Sequence, residues 1–167
     1  MTAWRLHTNT RGGDISDYCL ENNVAAMGWS FHELLDGSNP ALDEKVKQIR
    51  TYEDFLECAE EHGYKRMSVP RLHDKVLAGD VIWIYSYSQK HYYLAKVSEA
   101  SQWRFCHEAR NIDASNQLTD IRWYAIEDNN PAPDALEYWF KLQHTLQRII
   151  DTDVEAFSLW LWRALSK

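Results

Sequence analysis

Apolar residues are densest between Val76 and Val97 (VLAGDVIWIYSYSQKHYYLAKV), and the rest of the chain is arranged about that stretch. A Gly79-Asp80 turn leads into an apolar run from Val81 to Tyr87. A polar break at Ser88-Gln89-Lys90 follows, and a second run spans Tyr92 to Val97. Two β-branched and aromatic runs across a short polar break predict a β-hairpin. Neither run alternates with polar residues, so both faces of the hairpin are expected to meet other protein. Val81, Trp83 and Tyr85 fall on one face, Ile82 and Ile84 on the other.

Upstream, Ala3 to Thr8 reads as a short strand, Asn9 to Gly13 as a loop, and Asp14 as the N-cap of a short helix ending at Asn22-Asn23. Val24 to Phe31 (VAAMGWSF) is another apolar run, read as a strand interrupted by Gly28, and His32 to Pro40 is loop-like. Tyr52, Phe55, Leu56 and Ala59 fall at helical spacing between Thr51 and Gly63. Ser68-Val69-Pro70 opens a further helix, with Pro70 at a first-turn position where no N–H is needed. Beyond the hairpin, strands are expected at Gln102 to Cys106 and Asp120 to Ile126. Asn111 to Thr119 is a polar loop, and Glu127 to Pro133 is a break. From Asp134 onward Leu136, Trp139, Phe140, Leu146 and Ile150 share one side of a helix. A last amphipathic helix from about Asp153 buries Val154, Phe157, Trp160, Leu161 and Leu165. This order predicts one α+β domain over residues 1–167, a small curved antiparallel β-barrel flanked by N-terminal and C-terminal helices.

A chain of 167 residues can bury roughly 70% of its unfolded surface and needs no covalent staple. Cys19, Cys58 and Cys106 lie far apart with no CxxC pair, which fits a reducing compartment and neither a disulfide framework nor a zinc site. No pair of histidines has the i, i+4 spacing of a helical zinc motif, so neither metal nor cofactor is expected. The start, MTAWRLHTNT, has no signal-peptide pattern, and no window approaches the ~20 apolar residues of a membrane span. A cytoplasmic protein is the expectation. GxSxG, Walker and GxGxxG motifs are absent, the acids are scattered, and Cys19 reads as a buried structural thiol. No catalytic residue is expected.

The formal net charge of −7 argues against wrapping long nucleic acid by phosphate neutralisation, but not against gripping a single base. Lys65, Arg66, Arg71 and Lys75 form the one local basic excess, either a solvated face or an edge that contacts phosphates. Eight Trp and nine Tyr exceed what a small barrel interior readily packs. Trp83 and Tyr85, with Tyr93, Trp103 and Trp29, are therefore expected either to reach a common concavity or to fill the core. Aromatic faces hold a flat base at roughly 1–3 kcal/mol per base.

Gly79-Asp80 leading into VIWIY, then YYLAKV, QWRF and IRWYAI, resembles the PUA-like superfamily, and within it the EVE-type domains of prokaryotic restriction and antiphage proteins. YKRMSVPRLHDKVLAGD is similar to that family's helix feeding the Gly-Asp turn, and LEYWFKLQHTLQRI to its closing segment. The resemblance covers about Trp4 to Ile150 and leaves the last helix outside. It implies a barrel with a pocket at one end, where EVE-type and related YTH-type domains enclose a modified nucleobase in aromatic side chains. The implied partner is modified nucleic acid, taken to be DNA, with a nuclease or effector protein acting afterwards. By position Tyr85 and Ser86 border the pocket, Tyr87 lies at its rim, and Trp29 and Trp103 are carried over as walls. Asp80 or Ser86 would hydrogen-bond the base edge. Three alternatives stay open: a regulator binding a nucleotide or small molecule, an ASCH-like nuclease using Lys96, and a protein-interaction domain docking through the helix Val154–Leu165 and Trp162.

Overall fold

The computed structural model of the chain describes residues 1–127 and 134–165. In chain order these form β1 (Ala3–Leu6), β2 (Asn9–Thr10), β3 (Gly13–Asp14), α1 (Ser16–Asn22) and β4 (Ala25–Met27). A 3-10 helix (His32–Asp36), α2 (Pro40–Lys47), α3 (Tyr52–His62) and α4 (Val69–Asp74) precede the hairpin β5 (Val81–Ser86) and β6 (His91–Lys96). Then come β7 (Trp103–Phe105), a second 3-10 helix (His107–Ile112), β8 (Asn116–Leu118), β9 (Arg122–Ala125), α5 (Asp134–Phe140), β10 (Leu146–Arg148) and α6 (Thr152–Leu165). The fold is α+β. The break expected at Glu127 to Pro133 lies outside the described residues apart from Glu127.

The hairpin stands at the centre of a five-stranded sheet ordered β10-β1-β5-β6-β9. Its apolar runs are buried on both faces, as their lack of alternation predicts. Val81, Trp83 and Leu94 pack with Leu136 of α5 and with Val154 and Leu161 of α6. Ile82, Ile84, Tyr93 and Ala95 face the larger core, which holds Phe31, Phe55 and Leu72. Every pairing in this sheet is antiparallel except β1 with β5, which is parallel. The sequence reading expected antiparallel neighbours throughout. Four intervening α-helices and a 3-10 helix let β1 and β5 run the same way, since a parallel pair needs a long crossover.

A barrel does not close among the described residues. β4, β8 and β7 form a separate three-stranded sheet, and β9 and β10 are edges of the larger one. The sheets meet at a corner where β8 feeds β9: Ile121 N–H donates to Asn23 O at 2.9 Å and Trp123 Nε1 to Val24 O at 3.1 Å. Three further expectations are corrected. Leu146 to Arg148 pairs with β1 as a strand instead of continuing the helix begun at Asp134. Asn116 to Leu118, read as part of a polar loop, is a strand between β4 and β7. Its sequence, Asn-Gln-Leu, is fully buried, so polarity hid it. Asp14 is not the N-cap: Ile15 holds that position with no side-chain cap, and Asp14, at the end of β3, accepts from Ser16 N at 2.9 Å.

Candidate functional site

The proposed aromatic pocket residues do not converge. Trp83 is wholly buried and donates from Nε1 to Ser158 Oγ on α6 at 2.9 Å, with Phe157 stacked against it. Tyr85 shares that face and packs edge-on against Tyr87 and Tyr92. Tyr93 pairs with Ile84 and so points to the opposite face; its hydroxyl donates to Gln89. Ser86 is buried inside the hairpin turn, where its Oγ accepts from Gln89 N–H at 3.3 Å. Asp80 spends its carboxylate on Thr2 N–H at 2.8 Å, Trp4 Nε1 at 3.0 Å and Leu77 N–H at 3.1 Å. It pins the start of β1 to the turn before β5. Trp103 lines a different hollow, against Tyr52 and His73, and ties its Nε1 to Asn116 Oδ1 at 3.3 Å. The register of β5 with β6, and the two-sheet layout, scatter these rings to separate faces.

Trp29 stands apart. It lines a cleft of about 520 Å³ with Asn9, Thr10, Arg11, Glu33, Tyr64, Lys65, Asp113 and Thr145. Its ring makes no aromatic contact and its indole N–H no hydrogen bond among the described residues. The indoles of Trp4, Trp83, Trp103 and Trp123 all donate internally.

The backbone that carries Trp29 is strained. Trp29 has φ 55° and Phe31 φ 57°, left-handed conformations that cost bulky residues about 1–3 kcal/mol each. Such a strap persists only when its surroundings hold it, and here buried side chains do so. Asn116 Nδ2 donates to Gly28 O at 2.8 Å and to Trp29 O at 3.1 Å. Ser30 N–H donates to Asp113 Oδ1 at 3.1 Å, and Ser30 Oγ accepts from Ser115 N–H at 2.9 Å. Arg110 donates from Nε to Ser30 O at 3.1 Å and from Nη2 to Phe31 O at 2.9 Å. Phe31 N–H donates to the Tyr64 hydroxyl at 2.9 Å. Gly28 is required because a Cβ there would lie 2.7 Å from Asp113 Oδ2.

Charge inside the cleft is paired. Arg11 meets Glu33, whose other oxygen accepts from the Tyr64 hydroxyl at 3.1 Å. Burial pushes the Glu33 carboxyl up. Hydrogen bonds from its own N–H and Tyr64, with Arg11 and His62 nearby, outweigh that and hold it below the usual carboxylate range. Burial and the neighbouring Glu33 raise the Tyr64 hydroxyl. Asp113 also accepts from Arg11 N–H at 3.2 Å. The cleft thus presents two carboxylates, the half-buried Trp29 ring and, at Arg11 and Lys65, two cations. It can hold a flat group and accept hydrogen bonds from its edge.

Of the basic quartet, Lys65 lines this cleft and Arg66 follows it at the surface. Arg71 and Lys75 line a third hollow beside β10. Lys96 lies over the Trp162 ring at 5.5 Å, and Trp162 packs against Tyr124 at the sheet surface. The exposed tryptophan of α6 is Trp160, at 54%. Among the described residues no group of three or more His, Cys, Asp or Glu gathers to hold a metal, and no helix is long and apolar enough to cross a membrane.

Sequence reading missed Asn9, Thr10, Arg11, Glu33, Tyr64, Asp113 and Thr145, which come from five separate segments. Gly28-Trp29 was the usable signal: a glycine interrupting an apolar run marks a close backbone approach. No curated protein and no solved structure matches the chain. By a match over residues 4–148, the chain belongs to the family described as Domain of unknown function (DUF8426).

Proposed function

We propose that this chain is a non-enzymatic reader that takes one modified nucleobase, extruded from DNA, into the cleft beside Trp29. The observation that carries this reading is the Trp29 ring, which packs on the core, lines a polar cleft from a strained backbone, and makes no ring–ring contact or indole hydrogen bond among the described residues. Extruding a base costs a few kcal/mol, and stacking on one ring returns roughly 1–3 kcal/mol. Hydrogen bonds from the base edge to Glu33 or Asp113 add to that. The sequence resemblance to EVE-type domains supports the same assignment. Under this reading the chain marks a site, and a partner nuclease or effector acts in restriction or antiphage defence.

A second reading, a regulator that binds a free nucleotide or small molecule, is favoured by the net charge of −7 and by the two carboxylates of the cleft. Fluorescence anisotropy with labelled duplexes carrying modified or plain cytosine separates the two. The reader is expected to bind the modified duplex about ten-fold more tightly, the discrimination that about 1.4 kcal/mol supplies. Binding of the free nucleoside with no oligonucleotide binding would establish the regulator instead. Cleavage of the duplex, lost in Lys96→Ala, would make the chain a nuclease.

A further inference from the structure

β10 brings together cations that are distant in sequence. Arg71 and Lys75, on and just after α4, share a hollow of about 330 Å³ with His144, Gln147 and Arg148. Trp4 and Ile150 supply its apolar surface, and Ile150 is 76% exposed. Arg71 Nη1 donates to Leu146 O at 3.0 Å, which fixes α4 against β10. Arg71, Lys75 and Arg148 have no carboxylate partner among the described residues, in a chain with a formal charge of −7. The nearby acids are occupied: Asp74 meets His73 at 2.6 Å, and Asp80 is committed to Thr2, Trp4 and Leu77. Thr145 lines the Trp29 cleft and the next residue back, His144, lines the hollow, so one stretch of backbone reaches both. Lys65 at the cleft and the exposed Arg66 precede α4 in the chain.

We infer that this hollow is a groove for the sugar–phosphate strand flanking the extruded base, gripped at three phosphates by Arg71, Lys75 and Arg148. This rests on the base-reading function of the cleft. Unpaired cations around an apolar surface fit alternating phosphates and sugars, and such contacts position a strand without reading its sequence. The hollow, about 330 Å³, suits one nucleotide of a strand, with the exposed Arg71, Lys75 and Arg148 around it for the flanking phosphates.

The test is anisotropy across a salt series with a labelled single-stranded oligonucleotide, carrying either plain or modified cytosine. Wild type is compared with the triple variant Arg71→Gln, Lys75→Gln, Arg148→Gln. Each phosphate contact on a single strand contributes about 0.7 to the slope of log K against log salt, so the triple variant should lower the slope by about 2. It should weaken plain and modified oligonucleotides by the same factor and leave their ratio unchanged. Because Arg71 also holds β10, the double variant Lys75→Gln, Arg148→Gln is measured beside it, with an expected slope change of about 1.4. Trp29→Ala should do the reverse, removing the preference and keeping the slope. An unchanged slope in both basic variants overturns the groove. So does wild-type binding to phosphatidylserine vesicles, lost in the triple variant, without oligonucleotide binding. If the slope falls as expected while wild type shows no preference for the modified base, the groove stands and the base-reading function falls.

Discussion

Arg110→Met is expected to destabilise the fold by about 3–5 kcal/mol, the range for removing one member of a buried ion pair. Arg110 is 5% exposed, and its Nη2 lies 2.5 Å from Asp43 Oδ1 on α2. Burial raises the Asp43 carboxyl, but Arg110, with help from Lys47, brings it below the ordinary range. The same guanidinium satisfies Ser30 O and Phe31 O. Methionine would keep most of the volume while leaving Asp43 with only Lys47 at 3.5 Å, Ser30 O without its guanidinium donor, and Phe31 O with only the Leu34 N–H. Urea unfolding measures the loss. A change below about 1 kcal/mol, the size of one ordinary hydrogen bond, would mean that Asn116, Asp113, Ser115 and Tyr64 hold the strap without Arg110.

Trp29→Ala should weaken binding of a modified-base oligonucleotide by about 5- to 150-fold, the equivalent of 1–3 kcal/mol of stacking. Trp29→Phe should retain most of the affinity, because a phenyl ring still offers a face. Melting temperatures of both variants should stay close to wild type, since the strap is fastened by Asn116, Asp113 and Arg110 and not by the indole. Equal affinity in wild type and Trp29→Ala would place the ligand elsewhere.

Hydrophobic pattern carried the fold a long way. The hairpin, the two-sided burial of β5 and β6, and the helix from Tyr52 to His62 followed from it because packing there is apolar and local. The helix beginning at Thr51 even carries a full capping box with Asp54. What escaped was stabilised by polar burial. Arg110, Asp113, Ser115, Asn116 and Gln117 are all buried, yet in sequence such a run looks like a solvated loop. That loop turns out to hold the strap under Trp29. Register was equally hidden: pairing Ile84 with Tyr93 rather than with Tyr92 decides which ring faces the core. The aromatic excess therefore gave the right chemistry to look for but grouped rings that belong to different faces. Of the walls proposed for the pocket, only Trp29 lines the cleft.

The eight tryptophans, one of them lining the cleft, give a direct measurement of where a base sits. In a two-dimensional 1H–15N spectrum each tryptophan contributes one indole resonance. Titration with an oligonucleotide carrying the modified base should shift the Trp29 indole strongly and leave those of Trp83 and Trp103 in place. A shift of Trp103 with Trp29 unmoved would contradict the account and move the site to the hollow beside Tyr52 and His73.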